Sequence, residues 1–111
     1  MTLEELRLLR LVQSILVRNY VDTQRLDVDV VGTSVYIEGE FRVFDYHASH
    51  QHPDRIQHEL GMKRLLLHIE REIRRLGDVT HLEMKFRNWN RVGLQWVGQG
   101  GSSVQPFSPA P

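Results

Sequence analysis

The feature that most constrains this chain is the stretch from Leu26 to Phe41, Leu-Asp-Val-Asp-Val-Val-Gly-Thr-Ser-Val-Tyr-Ile-Glu-Gly-Glu-Phe. Leu26, Val28 and Val30 share one parity, and Val35, Ile37 and Gly39 share another, with Gly32-Thr33-Ser34 between them. That pattern predicts two half-buried strands joined by a tight turn. A two-stranded hairpin is marginal in water by itself, so its apolar face needs a cover, and the amphipathic segments on either side are the candidates.

The segment before the hairpin opens with Thr2, an N-cap residue, and Glu5 three positions on completes a capping-box pattern. Leu8, Leu9, Val12, Ile15 and Leu16 then fall on one helical face, and Leu6, Leu11 and Val17 widen the apolar sector beyond one stripe. A sector that wide can serve a sheet and, on its flank, another subunit. After the hairpin, Asp45 to Asp54 is polar, rich in histidine and interrupted by Pro53, which predicts a surface loop. From Pro53 to Leu76 the helical period returns in Met62, Leu65, Leu66, Ile69, Ile73 and Leu76, with Gly61 marking a late start or a bend and Gly77 ending it. Val79 to Phe86 alternates, so Leu82, Met84 and Phe86 are the expected buried side of a third strand.

These elements predict an α+β two-layer sandwich in the order α-β-β-α-β, two helices packed on one face of a three-stranded mixed sheet. The expected domain covers residues 1–88, an aromatic extension without a clear period covers 89–97, and a Gly/Ser/Pro tail predicted to be flexible covers 98–111. The neighbour of the third strand is open at this level.

Composition narrows function mainly by exclusion. The 111 residues carry 14 basic and 14 acidic side chains, so the whole molecule has no charge bias towards nucleic acid or anionic lipid. The absence of cysteine excludes disulfides, thiolate metal sites and cysteine nucleophiles, and suits a reducing compartment. Glu4, Glu5, Arg7, Arg10 and Arg18 interrupt the leucine-rich start, which is therefore expected to be neither a secretory signal nor a membrane span. The expected location is the cytoplasm, or the envelope if a leader has been removed.

Three histidines, His47, His50 and His52, form the cluster with ligand chemistry, near Asp45 and Asp54. Imidazole suits zinc, nickel or copper, but the spacing is equally that of a solvated loop. His58 could join it; His68 and His81 are expected to be ordinary positions on charged faces. Glycine-rich phosphate loops and paired-carboxylate motifs are missing, so no catalytic residue, no cofactor and no enzyme activity is expected. Tyr36, Phe41, Trp89 and Trp96 are the candidate aromatic binding residues, with Val43 and Leu94 beside them, and burial against the sandwich edge is the competing reading for the two tryptophans. Arg87 and Arg91 with these tryptophans could also stack on single-stranded RNA, and the element order is near one KH-type fold, but its GXXG loop is missing.

Val28-Asp29-Val30-Val31-Gly32-Thr33-Ser34-Val35-Tyr36-Ile37-Glu38-Gly39 pairs an alternating strand with a short glycine turn and a strand reading apolar-x-apolar-x-Gly, and Leu76-Gly77-Asp78-Val79-Thr80-His81-Leu82 makes a Gly-x-Val joint from helix to strand. In these residues, and in its element order over about Leu6 to Phe86, the chain resembles the BON domain family. The loop from Phe44 to Arg55 is longer than that family's usual connection. The resemblance implies a small sandwich acting as a non-catalytic binding module for a protein partner or a phospholipid surface. Ring-building domains of secretion systems share a similar element order, which adds copies of the chain itself, a homo-oligomer, to the expected partners. A metal-binding protein built on the histidine loop and a KH-like RNA-binding domain are the alternatives.

Overall fold

Alternation in the central stretch produces the expected hairpin: β1 (Leu26–Val31) and β2 (Ser34–Gly39) pair antiparallel, from Leu26 opposite Gly39 to Val31 opposite Ser34. The computed structural model describes residues 1–44 and 55–98, with side chains from residue 59 onward in the second stretch. Gly32 takes φ +63° in the two-residue turn, a conformation that costs an L side chain about 1 kcal/mol or more. Even-numbered residues of β1 and odd-numbered residues of β2 point to one side, and Leu26, Val30, Val35 and Ile37 are buried there.

Two helices cover that side. α1 (Leu3–Arg18) begins with both halves of the capping box, Thr2 Oγ1 accepting from the Glu5 N–H at 3.1 Å and Glu5 Oε1 accepting from the Thr2 N–H at 2.7 Å. Its inward residues are Leu8, Val12, Ile15 and Leu16. α2 (Arg55–Arg74) continues through Gly61 and buries Leu66, Ile69 and Ile73. The helices are tied together where Glu72 accepts from Asn19 Nδ2 at 3.0 Å and pairs with Arg18.

β3 (His81–Phe86) lies beside β2 and runs parallel to it, Ser34 opposite His81 and Gly39 opposite Phe86. Parallel neighbours need a crossover connection, and α2 supplies it. The strand order β1-β2-β3 and the α-β-β-α-β element order make the expected α+β fold with a mixed three-stranded sheet.

Past Phe86 the structure supplies what the sequence pattern leaves open. β4 (Trp89–Val92) and β5 (Gln95–Gly98) form a second antiparallel hairpin, reaching one residue into the expected tail, and its two-residue turn again starts with a left-handed glycine, Gly93 at φ +62°. Trp89 and Trp96 belong to the same core as the helices and sheet. Asn88 makes the joint, accepting from the Phe41 N–H at 3.0 Å and donating to the Phe41 carbonyl at 2.8 Å, as a paired strand would. Among the described residues, no helix is long and apolar enough to cross a membrane.

Candidate functional site: the outer face of the sheet

The parity that buries one side of the sheet sends the alternate residues to the other. On that outer side the register sets out three rows across β1, β2 and β3: Asp27, Glu38 and Lys85; Asp29, Tyr36 and Glu83; Val31, Ser34 and His81. Tyr36 is therefore at the centre, half-buried, with its ring 5.7 Å from that of His81. Every charged residue of the three strands is on this face, four carboxylates against one lysine.

The electrostatics are uneven across it. Lys85 is held by Glu83 at 3.0 Å, a hydrogen bond that lowers the Glu83 pKa and raises that of Lys85. His81 Nε2 lies 3.6 Å from the same carboxylate. Asp27 and Glu38, by contrast, stand directly opposite one another on paired strands, and neither makes a salt bridge among the described residues, although Glu38, beside Lys85 in the register, helps to raise the Lys85 pKa. Like charges so placed repel. Asp29 Oδ1 accepts only from the neighbouring Val30 N–H, at 3.0 Å.

Of the four aromatic residues expected at a binding surface, only Tyr36 is on one. Phe41 is 1% exposed, which corrects its expected place on the surface, and Trp96 at 1% and Trp89 at 7% follow the competing reading, packing against the domain rather than forming a binding surface. Phe41 keeps the inward parity of Val35 and Ile37 and packs tilted against Phe86, ring centres 5.4 Å apart, and Phe86 in turn lies 5.6 Å from Trp96. Val43 is half-buried against the same core, whereas Leu94 is exposed at the second turn. Most of the arginine-tryptophan patch is spent likewise: Arg91 donates to the buried Glu70 at 3.1 Å and lies 5.8 Å over the Trp96 ring, and the Trp96 indole N–H donates to Glu70 at 3.1 Å, whereas Arg87 is exposed. Arg91 and Trp96 fasten the second hairpin to α2.

His47, His50 and His52 lie outside the described residues, as do Asp45 and Asp54. His68 and His81 are on exposed charged faces, as expected, next to Glu72 and Glu83. No group of three or more metal-ligating side chains occurs among the described residues. An open polar cleft beside the sheet, lined by Gln24, Arg25, Asp27, Gly39, Glu40 and Arg87, adds no nucleophile or histidine.

The apolar parity of the strands does not by itself single out Asp27, Asp29, Glu38 and Glu83. The signal was available in the intervening positions, because once one parity is assigned to the core the other must form a single surface. Compared with models of known protein families, with curated proteins and with solved structures, the chain matches none of them.

Proposed function

We propose that the chain is a non-catalytic interaction module that recognises a protein partner through the outer face of its three-stranded sheet, a role consistent with its BON-like element order. The observation that carries this reading is the row-by-row arrangement of that face, a central tyrosine among carboxylates of which Asp27 and Glu38 oppose each other without a salt bridge. Tyrosine brings a large rigid contact surface and a hydroxyl at small entropic cost, and partner cations would relieve the carboxylate repulsion. The same acidity works against an anionic phospholipid surface or an RNA backbone at this face. Burial of Trp89 and Trp96 also withdraws the rings a single strand would stack on.

The test is a capture experiment from extracts of the cells that make the protein, comparing wild type with the double variant Tyr36→Ala/Glu38→Lys. Thermal unfolding serves as the folding control. Proteins retained by wild type and lost from a variant that unfolds at a similar temperature support the reading; an identical retained set overturns it.

A further inference from the structure

The helical layer carries the opposite charge to the sheet. α1 and α2 together contain eight basic and five acidic residues, so the layers bear formal charges of opposite sign although the whole chain is neutral. The excess is concentrated. Arg64, His68, Arg71 and Arg75 recur at spacings of four, three and four along α2, all exposed, on the side opposite the buried Leu66, Ile69 and Ile73. Arg75 extends the helix by one residue, its N–H donating to the Arg71 carbonyl at 3.0 Å. Among the described residues Arg64, Arg71 and Arg75 have no ion pair, whereas Arg74 and Arg91 are taken by Glu70. Arg71 and Arg75 are an i,i+4 pair of like charge, which destabilises an isolated helix as the Asp27–Glu38 pair destabilises the sheet.

Two unfavourable like-charge arrangements of opposite sign, on opposite layers of one neutral chain, are each relieved if the faces meet. We infer that the partner for the sheet face is a second copy of this chain, which presents the Arg64–Arg71–Arg75 ridge of its α2 to Asp27, Asp29 and Glu38. Asp27, Asp29 and Glu38 occupy two neighbouring rows about 7 Å apart along the strands, close to the one-turn spacing of about 6 Å between Arg71 and Arg75, while Arg64 lies about 10 Å further along the ridge. Because the two contacting surfaces differ, the contact is head-to-tail, and each added copy leaves one sheet face and one ridge open. Assembly then grows with concentration and has no stop at a two-fold dimer. This inference rests on the sheet face being the recognition surface.

The test measures mass by sedimentation and light scattering over protein concentrations of about 10 µM to 1 mM, the range of weak association. Wild type should grow past the dimer in low salt. Raising salt from about 0.02 M to about 0.5 M shortens the screening length several-fold and should weaken association at least tenfold. The ridge reversal Arg64→Glu/Arg71→Glu/Arg75→Glu and the sheet reversal Asp27→Lys/Asp29→Lys/Glu38→Lys should each be monomeric alone, and mixing them should restore assembly, since each then offers the complement of the other. If a reversal variant fails to unfold cooperatively, Arg71→Gln/Arg75→Gln and Asp27→Asn/Glu38→Gln take its place, and each should weaken assembly in low salt. A wild type that stays monomeric at the highest concentration in low salt overturns the inference, as does assembly that persists in either variant or is not restored by mixing. Wild type that remains monomeric but binds phosphatidylserine vesicles through Arg71 and Arg75 assigns the ridge to a membrane instead. A monomer that still captures a different protein through Tyr36 and Glu38 would remove self-assembly while leaving the proposed function standing.

Discussion

The two hairpins of this protein share one turn design and differ in everything around it. Each joins antiparallel strands through a glycine in the left-handed region followed by one ordinary residue, Gly32-Thr33 in the first and Gly93-Leu94 in the second. The first is embedded at its turn: Glu5 accepts from the Gly32 N–H at 2.7 Å, and the Thr33 carbonyl accepts from the Thr80 N–H at 3.0 Å. The second leaves its turn in water, with Leu94 86% exposed, and is held from its flat side by Trp89 and Trp96. Strand pairing alone does not stabilise either; the first depends on a continuous apolar face and the second on two large rings and one buried carboxylate.

The largest effect that would break this comparison lies at the far end of the first hairpin. Gly39 has φ +134°, and a Cβ there would fall well inside contact distance of the Arg25 carbonyl oxygen, which itself accepts from the Glu40 N–H. Gly39→Val should cost about 3–5 kcal/mol through strain and forced backbone displacement, despite the strand propensity of valine. Chemical denaturation measures it, and wild-type stability in this variant would refute the close approach.

Next comes the anchor of the second hairpin. Trp96→Ala should cost about 3–5 kcal/mol for the cavity it leaves, whereas Trp96→Phe, which keeps a ring but removes the indole N–H donated to Glu70, should cost about 1–3 kcal/mol. If the two variants unfold at the same denaturant concentration, the hairpin is held by that hydrogen bond rather than by packing.

The turns themselves should behave alike. A Cβ at Gly32 or at Gly93 meets nothing within 4 Å, so only the left-handed backbone is penalised. Gly32→Ala and Gly93→Ala should each cost about 1 kcal/mol, and a difference in unfolding free energy of more than about 1 kcal/mol would show that embedding reaches the turn backbone.

The smallest effect is a titration. The Glu5 carboxyl lies below its usual 4.5, held down first by the Gly32 N–H and then by the Thr2 N–H. A depressed carboxylate pKa means that the contact is fully present above 4.5 and is lost as pH falls through the lower folded value. The Gly32 amide shift in NMR should therefore titrate with a midpoint below 4.5, and a midpoint at or above it would show that the first turn is not held by Glu5.

These contrasts also mark where the sequence could be read. Leu26, Val28 and Val30 alternate in the first strand and Val35 and Ile37 in the second, and α2 offers five apolar residues at helical spacing from Met62 to Ile73, which is why the hairpin, both helices and β3 were visible in the chain itself. β4 and β5 each contain four residues and bury one, Trp89 and Trp96 respectively, and a single point has no period. The carboxylates of the outer face were legible as one side of each strand, but not their position beside β3, whose neighbour the sequence leaves open.

The amino-acid order by itself determined the periodicities, and with them the element types, the capped start of α1, the left-handed turn and the apolar side of each strand, because all of these depend on neighbours a few residues apart. Only the tertiary structure decided that β3 runs parallel beside β2, that Phe41, Trp89 and Trp96 close the core, and that Lys85 stands beside Glu38. Each of these outcomes joins residues distant along the chain. Local propensity carries no information about which distant surfaces bury one another, since that choice is set by the whole apolar area removed from water and by the partners left for each buried polar group.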